Sequence, residues 1–133
     1  MFCEIAAGTK PAFVVLDEPD VLAFLDIRPV FKGHVLVIPK QHLVTLPDLP
    51  AELLAPVFGA VQRIGGAIQR ALDADGHWVA VNNVVSQAVP HVHVHVVPRR
   101  RKDGLRGFFW PRLKYDDGEA ADHAARIRSA LAD

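Results

Sequence analysis

Three histidines alternate with valines in one short segment of this 133-residue chain, at His91, His93 and His95. In an extended segment successive side chains point to opposite faces, so the imidazoles would share one face and the intervening valines the other. Imidazole changes its charge near neutral pH and offers either a proton or a lone pair. A row of three is therefore suited to nucleophilic attack, proton transfer or metal binding.

These three uses compete with a plain solvent-facing strand. A metal site is limited by geometry, because His91 and His95 would have Cα atoms about 13 Å apart while a Zn–N bond is about 2 Å. The segment would supply at most two ligands to one ion, with His34 or His42 contributing from elsewhere. Attack on phosphorus by the central imidazole, with its neighbours binding phosphate oxygens and protonating the leaving group, needs no metal. The strict alternation favours this phosphate chemistry.

The charge and composition of the chain exclude several kinds of partner and site. Lys+Arg and Asp+Glu both total 15, so the chain lacks the basic excess of proteins that bind nucleic acid. Cys3 is the only cysteine, which excludes an internal disulfide and a cysteine-rich zinc site. No apolar run approaches the ~18 residues of a membrane span, and residues 1–10 lack the apolar core of a signal peptide. We therefore expect a cytoplasmic protein with neither a nucleic-acid nor a membrane partner.

Hydrophobic periodicity indicates an α+β domain with a mostly antiparallel five-stranded sheet, one long helix and a short C-terminal helix. The strands are expected at 12–16, 21–26, 34–38, 78–81 and 91–97. An apolar stripe predicts the long helix from about Ala51 to Asp75, with Asp48 as its N-cap. Gly65 and Gly66 inside this helix would let another backbone approach closely.

An ordered set of segments resembles the histidine triad (HIT) family, and the resemblance covers residues 2–99, leaving 100–133 as a basic loop and terminal helix of one domain. The matching segments are Phe2-Cys3-Glu4-Ile5, Pro11-Ala12, Ala23-Phe24-Leu25-Asp26-Ile27, Gly33 to Lys40, Val81-Asn82-Asn83 and Gln87 to Pro98. The resemblance implies that His93 becomes nucleotidylated, that His91 and His95 orient it and contact the α-phosphate, and that His34 packs beside the triad.

The resemblance also implies a nucleotide-binding pocket. Asp26 would bind the ribose hydroxyls, although it could be a simple turn residue. Asn82 and Gln87 would lie near the phosphates and leaving group, unless Asn82 only caps a turn. The base would lie in an apolar slot formed by four residues that could equally be plain core: Phe2, Ile5, Phe24 and Ile27.

The activity that the resemblance implies is hydrolysis at the α-phosphate of nucleoside phosphoramidates or dinucleoside polyphosphates. The substrate would be a purine nucleotide or dinucleotide, with no cofactor and no metal. Relatives of this layout pair into homodimers through the long helix and a sheet edge. The alternatives are a nucleotidyltransferase of the same family and a nucleotide-binding regulatory module with weak turnover.

Some features depart from the family pattern. Ala88 stands where many relatives have Ser or Thr, and the loop before it is shorter than usual, so the leaving-group preference is open. We expect Cys3 to be buried or inert, because no second cysteine completes a zinc site of the family. The basic run Arg99–Lys102 and the following residues to Trp110 predict either a solvated loop or a flap that grips polyphosphate.

Overall fold

A computed structural model describes residues 1–105 and 112–132 of the chain. Its elements, in chain order, are α1 (Phe2–Ala6), β1 (Val14–Asp17), β2 (Val21–Leu25), β3 (Val35–Pro39), a 3₁₀ turn (Leu46–Asp48), α2 (Ala51–Ala71), β4 (Gly76–Val81), β5 (Val94–Arg99) and α3 (Glu119–Leu131). The chain divides into two compact units, Met1–Asp103 and Gly104–Asp133. Among the described residues, no helix has both the length and the apolar character that a membrane span requires.

The five strands form one antiparallel sheet in the order β1-β2-β3-β5-β4. The predicted α+β class and five-stranded antiparallel sheet are therefore confirmed. Because β-strand side chains alternate, β2 and β3 each contribute to two apolar clusters on opposite faces. The larger cluster packs α2 against the sheet, through residues such as Val57 and Ile64 of the helix and Val37, Val94 and Val96 of the strands.

The opposite face of the sheet carries the histidines. Phe2 of α1 packs there against Leu22, Phe24 and Leu36 of the two neighbouring strands. His95 lies on β5 opposite Leu36 of β3. A five-residue helix at the start of the chain thus covers the same face that presents the imidazoles.

The predicted start of the long helix at Ala51 is confirmed, but its predicted N-cap and its predicted end are wrong. Pro50 is the N-cap, and Asp48 instead accepts hydrogen bonds from the backbone N–H (3.0 Å) and the hydroxyl (2.8 Å) of Thr45, which closes the preceding 3₁₀ turn. The helix ends at Ala71 with Leu72 as its C-cap. The Arg100 guanidinium donates to the Leu72 carbonyl (2.5 Å), so a basic side chain satisfies the helix end that Asp75 was expected to mark.

The glycine pair of α2 also differs from the prediction. A Cβ atom on Gly65 would collide with the imidazole of His77 on β4, in the same chain. A Cβ atom on Gly66 would meet only the guanidinium end of Arg70, at 3.2 Å. The close approach at Gly65 is therefore between α2 and its own sheet, and it involves a side chain.

Candidate active site

The histidine segment enters the sheet later than the sequence predicts. Strand β5 begins at Val94, so the predicted strand 91–97 is wrong over its first three residues. The His91 N–H donates to the Val89 carbonyl in a turn (2.9 Å), and the Val92 N–H donates to the carbonyl of Leu43 (2.7 Å), which lies outside the strands. Val94 nevertheless packs in the cluster with α2, on the face opposite His95, and Val92 is also buried.

His93 has one of its ring nitrogens committed to the backbone. Its Nδ1 atom lies 2.8 Å from the His91 carbonyl oxygen. A carbonyl can only accept, so Nδ1 carries the hydrogen and the neutral ring keeps its lone pair on Nε2. The side chain is 8% exposed and lines a pocket. This arrangement presents a ring nitrogen that can act as a nucleophile.

His34 and His95 form a directed hydrogen-bond chain beside His93. The Val30 N–H donates to His34 Nδ1 (3.1 Å), so neutral His34 carries its hydrogen on Nε2, which donates to His95 Nδ1 (2.9 Å). Neutral His95 must then carry its hydrogen on Nε2. Because His95 lines the same pocket as His93, it can donate this hydrogen to a phosphate oxygen.

Burial keeps this chain neutral near pH 7. It lowers the pKa of His95 from 6.5 to about 4, with His93 and His34 as further causes and Asp26 acting in the opposite direction. Burial also lowers the pKa of His34, opposed by Asp26. The tautomers deduced from the hydrogen bonds are thus those of uncharged rings.

His91 faces away from the pocket, towards α1. Its Nε2–H donates to the Pro39 carbonyl (2.8 Å), which leaves Nδ1 to accept from the Cys3 thiol (3.6 Å). Burial lowers the pKa of His91, and the bond to Pro39 opposes that shift. His42 Nδ1 lies 3.2 Å from the same sulfur atom. Cys3 is exposed and contacts two imidazoles, so it is not buried as one of the two expectations had it.

Two clusters of potential metal ligands follow from these contacts within the described residues. The donor atoms of Cys3, His42 and His91 lie within 4.8 Å of one another, and so do those of Asp26, His34 and His95. His91 and His95 belong to different clusters, as their predicted separation requires. In the second cluster the ring nitrogens of His34 and the Nδ1 of His95 are already engaged in the hydrogen-bond chain.

The pocket beside His93 and His95 has a volume of about 560 Å³. The four residues expected to hold the base all line it: Phe2, Ile5, Phe24 and Ile27. The rings of Phe2 and Phe24 meet edge to face with centroids 5.4 Å apart, and both side chains also belong to the apolar core. Ile27 is 82% exposed, so it is a pocket residue without a core role.

Polar residues line the same pocket. Asp26 does so while one carboxylate oxygen accepts from the Arg28 N–H (2.9 Å) and the other lies 3.8 Å from His34 Nδ1. Asp26 is thus both a turn residue and a pocket residue. Asn82 lines the pocket and donates to the Ser86 carbonyl (3.3 Å). Its amide therefore braces the loop while remaining part of the pocket wall.

Gln87 lies outside the pocket lining. Its amide accepts from the Val84 N–H (2.9 Å) and donates to the Val44 carbonyl (2.5 Å), so it ties the loop after β4 to the segment after β3. Sequence reasoning missed three polar residues of the pocket, Lys10, Arg28 and Ser86. Ser86 carries the one hydroxyl between Asn82 and Pro90, which is a signal that the sequence offered.

The basic run has structural partners. Arg99 pairs with Asp103 (2.6 Å), and Arg100 caps α2 through the Leu72 carbonyl. The backbone N–H of Arg101 donates to Asp75 (2.8 Å). These contacts favour a braced surface loop over a flap for this part of the run. The other residues expected in the flap, Arg106, Phe108, Phe109 and Trp110, lie outside the described residues.

Comparison with known proteins agrees with the fold and with the histidine pattern. A family model described as the HIT domain matches residues 7–102. An uncharacterized HIT-like protein of Mycobacterium tuberculosis is 42% identical, over 99% of this chain and 92% of the relative. A protein of Schizosaccharomyces pombe named adenosine 5'-monophosphoramidase is 34% identical, over 98% of this chain and 97% of the relative. The chain belongs to the HIT family.

Solved structures extend the likeness to three dimensions. A Streptococcus mutans protein superposes with a TM-score of 0.90 at 36% identity, covering 98% of this chain and 84% of that one. A Zn-bound histidine triad family protein from Mycobacterium smegmatis superposes with a TM-score of 0.75 at 39% identity, covering 99% and 96% of the two chains.

Proposed function

We propose that this protein is a nucleotide hydrolase that cleaves the bond between the α-phosphorus of a nucleotide and its leaving group. A nucleotidyl group would be carried on His93 between two displacements. The observation that carries the proposal is the 2.8 Å contact from His93 Nδ1 to the His91 carbonyl, which leaves Nε2 unprotonated in a pocket of nucleotide size. A preset tautomer gives the nucleophile a lone pair without a separate base.

The first displacement forms an Nε2–P bond and breaks the bond to the leaving group. The electron pair of the broken bond stays on the leaving atom, which takes up a proton from solvent when it is an amine. Charge that develops on the phosphate oxygens would be stabilised by the Nε2–H of His95, held by the chain from His34 and Val30. Water then opens the Nε2–P bond, releases nucleoside monophosphate and returns one proton to solvent.

The nucleotide would lie with its base in the slot of Phe2, Ile5, Phe24 and Ile27 and its ribose hydroxyls on Asp26. The slot is apolar on several sides, which suits the faces of a purine. One carboxylate oxygen of Asp26 already accepts from the Arg28 N–H, and the other oxygen can accept a hydrogen from a ribose hydroxyl. Asn82 would contact the phosphates or leaving group, whereas Gln87 would act on the loop.

Phosphoramidates are the first substrates to test. The S. pombe relative is named for the hydrolysis of adenosine 5'-monophosphoramidate, and it matches nearly the whole chain. A turnover screen should compare adenosine phosphoramidates with dinucleoside polyphosphates, with His93→Ala as the inactive variant and His123→Ala as a histidine control in α3. Turnover that requires His93 and is insensitive to His123 supports the proposal. Tight nucleotide binding with no turnover by the wild-type protein would instead identify a regulatory binding module.

Zinc, present in the M. smegmatis neighbour, fits one set of residues in this chain. Cys3, His42 and His91 would hold it, since a thiolate and two imidazole nitrogens are ligands that zinc prefers. Because His91 Nε2–H donates to Pro39, the Nδ1 lone pair, which accepts from the Cys3 thiol, would turn to a metal once that thiol is deprotonated. None of these three residues is among those that line the pocket, and an ion bound by them would tie α1 to the histidine segment. It would supply structural support.

A further inference from the structure

The loop Asn82–Gln87, here called the lip, holds two residues in a strained backbone conformation. Val84 has φ 70° and Ser86 has φ 61°, both in the left-handed region. This region is unfavourable for residues with a Cβ atom and most so for a β-branched one such as Val84. Val84 is also 77% exposed, so it gains little apolar burial in return.

Side chains of the lip itself hold this conformation in place. Gln87 accepts from the Val84 N–H and donates to the Val44 carbonyl, which bridges the lip to the segment after β3. Asn83 accepts from the Leu46 N–H (2.7 Å), which makes a second bridge to that segment. Asn82 donates to the Ser86 carbonyl across the turn. Strained residues persist where the surrounding structure fixes them in this way, and they concentrate at ligand sites.

The strained turn brings a residue with a hydroxyl to the pocket wall. Ser86 lines the pocket together with Asn82, His93 and His95, whereas Val84 does not. Ala88, at the position where many relatives carry a hydroxyl, also lines the pocket and has no polar side-chain atom. Ser86 is therefore placed to provide from the lip a hydroxyl that the sequence lacks at position 88.

We propose that Ser86 is the leaving-group residue of this protein and that Gln87 is its positioning residue. This inference rests on the proposed function. As the His93 Nε2–P bond forms and the bond to the leaving group breaks, the Ser86 hydroxyl donates a hydrogen bond to the departing nitrogen or oxygen. The hydroxyl keeps its proton, and the proton that a departing amine needs comes from solvent. The contact matters most for leaving groups that are unstable without a hydrogen-bond donor, so it sets a preference for basic amines.

The test compares two adenylates that share the nucleotide and differ in leaving group. One is an adenosine 5'-phosphoramidate of an alkylamine, a poor leaving group, and the other is the p-nitrophenyl ester of AMP, whose oxygen departs without a proton. Ser86→Gly removes the hydroxyl and tolerates the positive φ, and Ser86→Ala removes only the hydroxyl. Val84→Gly is the matched control, since it relaxes the same turn at a residue outside the pocket.

Both Ser86 variants should lower kcat/KM for the alkylamine substrate about tenfold, as expected for one lost hydrogen bond in the transition state, and change the ester less than about twofold. Gln87→Ala should likewise lower the rate for the alkylamine substrate more than for the ester. A general loss of stability would lower both rates equally. Val84→Gly should leave both substrates within about twofold. An equal effect on the two substrates, or native activity of Ser86→Gly, would overturn the assignment of Ser86. If the wild-type protein cleaves neither substrate, the proposed hydrolase function itself is refuted.

Discussion

The Nδ1 atom of His93 lies 2.8 Å from the carbonyl oxygen of His91, two residues earlier in the chain. This contact exists because the segment before Val94 leaves the regular strand, so a backbone carbonyl of the segment is free to accept from its own side chain. It sets the tautomer of the central imidazole through the backbone alone. The proposed nucleophile and the group that prepares it thus come from the same three residues.

Acid should weaken the fold over a defined range of pH. His95 has a pKa near 4 in the folded chain against 6.5 for a free imidazole, so the unfolded chain binds more protons between these values. The free energy of unfolding must then fall as pH drops from about 6.5 to about 4, and it levels off for this group below that. Lowered pKa values of His34 and His91 act in the same direction. Urea titrations at several pH values should show a steeper pH dependence for the wild type than for His95→Asn. An identical dependence would contradict the account.

Alanine at the two neighbouring glycines of α2 should have opposite effects. Gly65→Ala places a Cβ atom against the His77 imidazole and should lower the free energy of unfolding by about 1–3 kcal/mol, as overpacking does. Gly66→Ala meets only the mobile end of Arg70 and should raise it by up to about 1 kcal/mol through helix propensity. Urea denaturation of both variants measures this difference. The Gly65→Ala loss should shrink in a His77→Ala background, and an undiminished loss there would show that the imidazole is not the cause.

Predicting this fold from the sequence succeeds where the pattern is local. The continuous apolar runs of β2 and β3 and the apolar stripe of α2 identify these elements, because each pattern lies within one segment. The N-cap of α2 was misassigned because Asp48 instead accepts hydrogen bonds from Thr45 and closes the preceding 3₁₀ turn. Contacts across long separations, such as Cys3 with His42 and His91, leave no local pattern, so the sequence did not predict the surroundings of Cys3.

The candidate site was predictable to a similar extent. Resemblance supplied His93, Asp26 and the apolar slot, and the structure gathers them in one pocket. Gln87 was expected near the phosphates, yet its amide is used by two backbone groups of neighbouring loops. Only the folded arrangement of these loops shows that Gln87 braces the lip and that Ser86, two residues before Ala88, reaches the pocket wall.

Removing metal should leave the rate of turnover unchanged, whereas adding zinc should raise the Tm. The proposed reaction uses ring nitrogens of His93 and His95 on phosphate, so a strong chelator should leave turnover within about twofold. Zinc added to metal-free protein should raise the Tm of the wild type, and Cys3→Ser should lose most of this rise, because it removes the thiolate of the three-ligand set. Activity that disappears with a chelator and returns with Zn²⁺ or Mn²⁺ would support a metal-dependent reaction instead.

We predict a homodimer through β4 and α2. Strand β4 is an edge of the sheet, and unpaired edge strands favour association with another chain. Val79 on this edge is exposed, as is Leu54 on α2. Light scattering coupled to size exclusion at micromolar concentration should give about twice the chain mass of 14.6 kDa, and Val79→Asp should shift it towards the monomer. A wild-type mass near 14.6 kDa would refute this prediction.

The central claim is that a nucleotidyl group is carried on His93. A single turnover of an adenosine phosphoramidate labelled at the α-phosphorus, quenched in alkali at successive times and mapped by peptide, measures it directly. The account predicts that label appears on the peptide containing His93, decays as fast as nucleoside monophosphate is released, and is absent from His93→Ala. Label on another residue, or a complete turnover during which the protein never carries label, would contradict it.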